Sequence, residues 1–311
     1  MCTAIGSACG DGPTAPEPAR PQLTCPPALN LTGVLGGTQN VTYAPPLVAG
    51  GATPVTTTCT PASGSSFPIG ITTVACTATD ARSRQAGCTF TVTLNAVSLS
   101  ITRFLAFGDS VTAGEDGRTL QVRRTFIDPV RSYPAVLQGS LIADFPQQNP
   151  IVLNRGRGGE FATDGVSRLL DELRAQRPEG LLLLEGYNDL LNLGLAGVDR
   201  VVEALRTDIR NARALGVRYV FLSTLTPPRR ATGPANRAID SRAIQDVNTR
   251  LTVLASAESA ILVNAYDAFL GRESVLVGDD GLHLTPAGNQ ALAELFYSRI
   301  RNATTATLAG N

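Results

Sequence analysis

The sequence predicts an α/β chain in which a parallel sheet of about five strands is covered by helices on both faces, preceded by a small all-β module. Two changes of texture carry that reading. From Pro21 to Val97 the chain is rich in Thr, Val, Pro and Gly, and runs such as TPVTTTCT and CTFTVTL alternate as half-buried strands do. After Ser98 short apolar runs alternate with long amphipathic stretches, the mark of repeated strand–helix units. With 311 residues and 43% hydrophobic content the chain can bury more than one core.

Taken in order, residues 1 to 20 contain IGSACGDG and the Pro-rich GPTAPEPARP and are expected to be a tether. Residues 21 to 97 form the β module, and residues 98 to 311 the α/β domain. The expected strands of the latter are RFLAF (103 to 107), IVLN (151 to 154), GLLLLE (180 to 185), VRYVFLS (217 to 223) and AILVN (260 to 264). Between them lie the helical patterns SYPAVLQGSLIADF, ATDGVSRLLDELRAQ, GVDRVVEALRTDIRNARALG and AIQDVNTRLTVLASA, and TPAGNQALAELFYSRI follows the fifth strand. In parallel sheets of this kind reactive groups collect at the carboxyl ends of strands, where Ser110, Asn154 and Gly186 fall.

Composition excludes several chemistries. Basic and acidic residues balance at 26 each, so no global field draws the chain to nucleic acid or anionic lipid. All the basic residues are Arg, which removes lysine Schiff bases and Ser-Lys dyads, and a single histidine, His283, removes multi-histidine metal sites. Six cysteines, at 2, 9, 25, 59, 76 and 88, lack CxxC spacing and sit among strand-like segments, which suggests disulfides and an oxidising compartment. No apolar run is long enough for a transmembrane helix. Residues 1 to 20 lack a charged start followed by an apolar core, so the sequence is expected to begin after or inside an export segment. Cys9 is then read either as the lipid-modified first residue of a mature bacterial lipoprotein or, with Cys2, as half of a disulfide or one of two free thiols in a disordered tail.

Ester hydrolysis by serine needs a hydroxyl nucleophile, an imidazole base, a carboxylate that orients it, and donors for the oxyanion. One candidate exists for each role. In FLAFGDSVTAGEDG, Ser110 follows a strand at a Gly turn, where its hydroxyl projects beyond the sheet edge. His283 lies in DDGLHLTPAG three residues after Asp280 and just before a helix starting at Thr285 or Pro286, a spacing that lets the carboxylate reach Nδ1 and leaves Nε2 for Ser110. Gly281 supplies the backbone freedom this loop needs. Oxyanion donors are sought in NRGRGGE (154 to 160), where glycines bring backbone N–H groups close to a ligand, and in EGYNDL (185 to 190), where Asn188 carries a side-chain amide.

These four blocks, in this order over residues 102 to 301, resemble the SGNH, or GDSL, hydrolase family. Gly108-Asp109-Ser110 is similar to its nucleophile block, Asn154 to Gly159 to its glycine block, Gly186-Tyr187-Asn188-Asp189 to its asparagine block, and Asp280 to His283 to its acid–base block. The resemblance implies a three-layer α/β/α flavodoxin-like fold and assigns Ser110 as nucleophile, His283 as base and Asp280 as its orienting acid. The oxyanion hole would comprise the Ser110 and Gly159 N–H groups and the Asn188 amide, with Gly156 and Gly158 competing for the place of Gly159. No metal or organic cofactor is implied. Tyr187 either contacts substrate or packs in the core, and Arg229, Arg230 and Arg237, in TPPRRATGPANRAID, either line a substrate entrance or belong to a solvated loop.

The β module resembles a hyalin-repeat (HYR) domain of the immunoglobulin-like sandwich class, through LTCPP, CTPASGSSFPIGITTVACTATD and CTFTVTL. It departs from that family at DARSRQAG, where a Gly-Asn turn is common. Four cysteines allow three pairings. Cys59 with Cys76 would close the SGSSFPIG hairpin, and Cys25 with Cys88 would staple the first strand to the last. The expectation is an exported serine esterase acting on a small-molecule or glycan-borne ester, with polysaccharide or peptidoglycan O-deacetylation as the alternative substrate class. Nucleic acid is not an expected partner, and a membrane tether would come through Cys9. The competing class is an adhesion or glycan-binding protein with an inactive hydrolase domain.

Overall fold

In the computed structural model of the chain, residues 16–116, 126–230 and 239–307 are described. Cys2, Cys9, Arg237 and most of the expected tether lie outside them. The described residues divide into two compact units, the first holding residues up to Val34 and Thr38–Ala96 and the second holding Leu35–Gly37 and the residues from Val97 onward.

The first unit is all β. Strands Thr56–Thr60, Gly70–Thr79 and Gln85–Leu99 run antiparallel, and Leu29–Val34 joins the last of them in parallel. Alternation buries one side of Gly70–Thr79 and of Gln85–Leu99. Val74 and Cys76 from one strand meet Phe90, Val92 and Leu94 from the next, with Val41 and Phe67 completing the core. The Tyr43 ring lies edge-on to Phe90 at 5.0 Å. DARSRQAG makes its turn without a Gly-Asn pair. Ser83 takes a left-handed conformation (φ 61°), and the Asp80 carboxylate accepts from the N–H groups of Ala52, Arg82 and Arg84 and from Arg84 Nε at 2.9 to 3.0 Å. A hydrogen-bonded carboxylate thus stands in for the glycine.

Two disulfides cross this unit, Cys25–Cys88 and Cys59–Cys76, separated by 63 and 17 residues. Closing the longer loop removes more entropy from the unfolded chain. Loss of Cys25–Cys88 is therefore expected to cost about 4 kcal/mol and loss of Cys59–Cys76 about 3 kcal/mol. Urea unfolding of paired Cys→Ser variants, followed by circular dichroism, checks the order.

The second unit is a parallel five-stranded sheet. Its strands are β1 (Arg103–Gly108), β2 (Ile151–Gly156), β3 (Gly180–Leu184), β4 (Tyr219–Ser223) and β5 (Ile261–Val263), ordered β2-β1-β3-β4-β5. The helices among the described residues are α1 (Ser110–Ala113), α2 (Tyr133–Asp144), α3 (Ala162–Gln176), α4 (Tyr187–Leu193), α5 (Val198–Ala214), α6 (Ser241–Ala257), α7 (Ala265–Phe269), α8 (Glu273–Leu276) and α9 (Pro286–Thr304). α2 packs on α9, with the Tyr133 ring stacked on Phe296 at 5.1 Å, while α3, α5 and α6 pack in succession. Right-handed crossovers place these two sets on opposite faces of the sheet. Covered on both sides, β3 reads as an unbroken apolar run, and every residue of it is buried.

The three-layer, flavodoxin-like arrangement expected from the sequence is therefore present. Its order has a functional consequence. The chain leaves β1 for β2 on one side and returns to β3 on the other, opening a crevice at the carboxyl ends of β1 and β3.

Candidate active site

β1 delivers Ser110 into that crevice. Phe104 to Phe107 are fully buried, so the strand is anchored by core packing up to the turn. Asp109 then caps α1, its Oδ1 accepting from Val111 N–H at 3.0 Å, and Gly114 ends the helix in a left-handed conformation (φ 91°). A helix of one turn starting at Ser110 presents the hydroxyl at its first residue. Asp109 Oδ2 also accepts from the Tyr187 N–H at 3.3 Å, tying the Ser110 turn to the loop after β3.

His283 arrives from the loop before α9. Thr285 caps that helix by accepting from Gly288 N–H at 3.1 Å, and Pro286 fits its first turn. Ahead of it Gly281 adopts φ 86°, and the Gly278 N–H donates to the His283 carbonyl at 2.7 Å, closing a tight loop. Asp280 uses both oxygens. Oδ1 accepts from the Leu282 and His283 N–H groups at 3.0 Å each, and Oδ2 lies 2.5 Å from His283 Nδ1. His283 Nε2 stands 2.8 Å from Ser110 Oγ. Burial disfavours charge on Asp280. The hydrogen bond to His283, the imidazole's proximity and the two N–H donors outweigh it and hold the carboxyl below its ordinary value.

Donors gather on the other side of Ser110. The Gly156 N–H is spent on Asn154 Oδ1 at 2.9 Å, which removes Gly156 from the competing glycines. Gly158 and Gly159 lie in the turn after β2 and, among the described residues, their N–H groups have no partner. Gly158 is close to Ser110, since a Cβ built on it would be 3.9 Å from Ser110 Cβ. Asn188 Nδ2 donates to the Glu160 carbonyl at 2.9 Å, fixing the amide beside this turn with its second N–H uncommitted. Sequence reasoning missed what holds the turn in place. Arg168 of α3 forks onto the Glu160 carboxylate through Nε at 2.8 and 3.0 Å, donates to the Arg155 carbonyl at 2.8 Å, and lies 3.9 Å over the Phe107 ring.

The GDSL-like lipase/acylhydrolase family model matches residues 106–291, and the HYR domain model matches residues 18–94. The chain belongs to the GDSL-like lipase/acylhydrolase family. A lipase/acylhydrolase from Enterococcus faecalis is 23% identical, with TM-score 0.50, over 65% of this chain and 97% of its own. A carbohydrate acetylesterase from Sinorhizobium meliloti is 15% identical, with TM-score 0.55, over 64% and 98%. An acetylxylan esterase from Geobacillus stearothermophilus is 22% identical, with TM-score 0.52, over 65% and 95%. At these identities the likeness is one of fold. No curated protein matches the chain.

Two more of the residues singled out in this GDSL-family chain are held by packing and hydrogen bonds. Tyr187 is buried, and its hydroxyl accepts from the Thr226 N–H at 2.7 Å and meets Thr226 Oγ1 at 2.9 Å, so its ring packs in the core. Arg229 donates through its N–H to the Gly281 carbonyl (3.1 Å) and through its guanidinium to the Val277 carbonyl (3.1 Å) and to Asp279 (2.7 Å). It braces the acid–base loop, and its charge is already paired. Arg230 is exposed. Among the described residues no group of His, Cys, Asp and Glu is arranged to hold a metal ion.

Beneath the site lie carboxyls for which the sequence offers no role. Glu185, at the end of β3, and Asp208, on α5, are fully buried, and neither carboxyl has a hydrogen-bond partner among the described residues. A Cβ on Gly165 would come within 2.8 Å of Glu185 Oε2, so α3 makes room for that carboxyl with a glycine. Burial pushes Asp208 up to about 8 and Asp109 up to about 7, and raises Glu185 well above the carboxylate range, with neighbouring acids adding to the rise for Glu185 and Asp208. Unfolded carboxyls titrate near 4. The folded chain therefore binds more protons than the unfolded chain above that pH, and this contribution to stability is full below about pH 4 and lost as pH rises through 7 and 8. The thermal midpoint should fall between about pH 5 and pH 9, and Asp208→Asn should flatten the fall and raise the midpoint at pH 8. Calorimetric scans over that range check both.

Proposed function

We propose that this chain is an exported serine esterase that works through an acyl-enzyme on Ser110. The observation that carries the reading is the relay from Asp280 through His283 to Ser110, with contacts of 2.5 and 2.8 Å, at the crevice where the fold places ligands. Ser110 Oγ attacks the ester carbonyl as His283 Nε2 takes its proton. Asp280 holds the imidazole so that Nδ1–H faces the carboxylate. The oxyanion forms against the Ser110 and Gly159 N–H groups and the Asn188 amide, with the adjacent Gly158 N–H on the same turn. His283 then protonates the departing alcohol, and a water activated by the same nitrogen releases the acid.

Export is supported by the two disulfides and by the HYR domain, a combination suited to an extracellular location. Among the described residues no helix is long and apolar enough to cross a membrane.

Within this reading, removal of acetyl groups from carbohydrate is a second, narrower possibility. It is favoured by the acetylxylan esterase and carbohydrate acetylesterase among the proteins that share the fold. The test is acid release from 4-nitrophenyl esters of increasing acyl length beside acetylated xylan. Turnover of the short esters supports the esterase reading, and a flat, negligible response to every ester refutes it in favour of a binding protein.

A further inference from the structure

The reaction described above leaves one carboxylate at its centre without a task. Glu115 Oε2 lies 3.3 Å from His283 Nε2, the nitrogen that also meets Ser110 Oγ. The other oxygen of the same carboxyl reaches the glycine turn, 2.1 Å from where a Cβ on Gly158 would stand. Glu115 follows the nucleophile helix and belongs to a short strand, Glu115–Asp116, paired with Phe126–Ile127. Its side chain is only 12% exposed, and among the described residues its one ionic contact is His283. Arg157, the nearest basic residue in sequence on the glycine turn, pairs with Glu160 instead.

A carboxylate so placed is costly unless something donates to it. The acylation step says what can. As the acyl carbon bonds to Ser110 Oγ and its bond to the alcohol oxygen breaks, that oxygen must stand about 3 Å from Nε2 to collect the proton. Glu115 Oε2 is at nearly this distance from the same nitrogen. The departing oxygen and the carboxylate oxygen therefore lie within about 6 Å of each other, a span that a hydroxyl on the next carbon of the alcohol can bridge to Oε2. Glu115 acts in this step only as a hydrogen-bond acceptor.

We propose that Glu115 is a specificity-determining residue whose carboxylate accepts a hydrogen bond from a hydroxyl adjacent to the scissile ester, so that the site takes esters of polyhydroxy alcohols. The inference rests on the esterase reading and narrows its substrate class. A cationic alcohol is the other ligand a carboxylate attracts, but a quaternary ammonium is best held against an aromatic face, and the ring of Tyr187 in the adjoining block is buried. An anionic alcohol is repelled.

Glycerol monoacetate and glycerol triacetate separate these cases, because they share acyl group and skeleton and only the monoacetate has free hydroxyls. Acetate release by the full chain should give a kcat/KM per ester group at least about tenfold higher for the monoacetate, the range of a hydrogen bond to a charged group. Glu115→Ala and Glu115→Gln should bring that ratio to within about threefold of one. Since both substrates are compared on one preparation, partial misfolding does not alter the ratio, and the wild-type ratio decides if a variant is insoluble. A wild-type ratio near one, a ratio unchanged in both variants, or a preference for acetylcholine over the monoacetate overturns the proposal. Turnover of 4-nitrophenyl acetate with a ratio near one refutes the role of Glu115 alone. No turnover of any of the four esters refutes the esterase reading, and this inference with it.

Discussion

Replacing Ser110 by Ala should lower kcat for 4-nitrophenyl acetate at least about a thousandfold while leaving the thermal midpoint nearly unchanged. The hydroxyl removed is the only atom in the relay that can form the acyl bond, and it is a small part of a well-packed turn. His283→Ala should cost a similar factor, since a serine hydroxyl that cannot pass its proton to Nε2 at 2.8 Å is a poor nucleophile. The two losses should not multiply. Residues that act as one unit are lost together, so the double variant should be about as slow as either single one. Steady-state rates of the three variants at one pH make the comparison. Multiplying losses would indicate that Ser110 and His283 act in separate steps.

Gly156→Ala is expected to have a large effect on folding. A Cβ there would lie 2.0 Å from the Ala113 nitrogen and 2.5 Å from the Thr112 carbonyl carbon, both backbone atoms of α1. No side chain can swing aside to relieve that contact. The nucleophile helix must move off β2, and an overpacked core of this kind costs about 3 kcal/mol, enough to lower the midpoint by about 6 to 12 °C. Because α1 begins at Ser110, the displacement also separates Oγ from Nε2. A shift of about 1 Å in a reacting atom costs about a hundredfold in rate. Gly108→Ala should behave alike, since its Cβ would meet the Leu184 carbonyl oxygen at 1.8 Å. Scanning calorimetry and kcat/KM on the soluble fraction measure the two effects, and a Gly156→Ala variant with wild-type midpoint and rate contradicts the packing described.

These two variants also mark the boundary of what the sequence discloses. The strands were legible because their apolar runs, bounded by turns, are set by burial on both faces of a parallel sheet, and RFLAF and GLLLL fall within β1 and β3. The relay residues were legible because each sits in a short block whose chemistry is local. Asp280 and His283 are three residues apart on one loop, and Ser110 directly follows the turn that ends its strand. What local spacing does not carry is which atoms remain free once the chain is packed. Gly156, Gly158 and Gly159 are equivalent in the sequence, and only folding shows that the Gly156 N–H is bound to Asn154 and its Cα pressed against α1. Arg229 reads as a loop cation until its guanidinium is found on Val277 and Asp279.

Buried charge was the least legible feature. Asp208 lies in an amphipathic helical pattern in which a carboxylate suggests the solvent face, yet it is fully buried on α5. Glu185 continues an apolar strand run, and Glu115 reads as one acidic residue in a turn-rich stretch. Each meets its surroundings through contacts between segments far apart in the chain, such as Glu115 with His283, for which neither periodicity nor a motif gives a signal. Arg168 is another case: an ordinary helix arginine in the sequence, it proves to clamp Glu160 and the carbonyl of Arg155 behind the glycine turn.

The central claim is that Ser110 is a nucleophile activated by His283. Mass spectrometry of the protein after treatment with a fluorophosphonate measures it directly. The account predicts one adduct, on the peptide carrying Ser110, absent from Ser110→Ala and formed far more slowly in His283→Ala. A wild-type chain that hydrolyses esters while Ser110 stays unlabelled, or that is labelled at another serine, would contradict it.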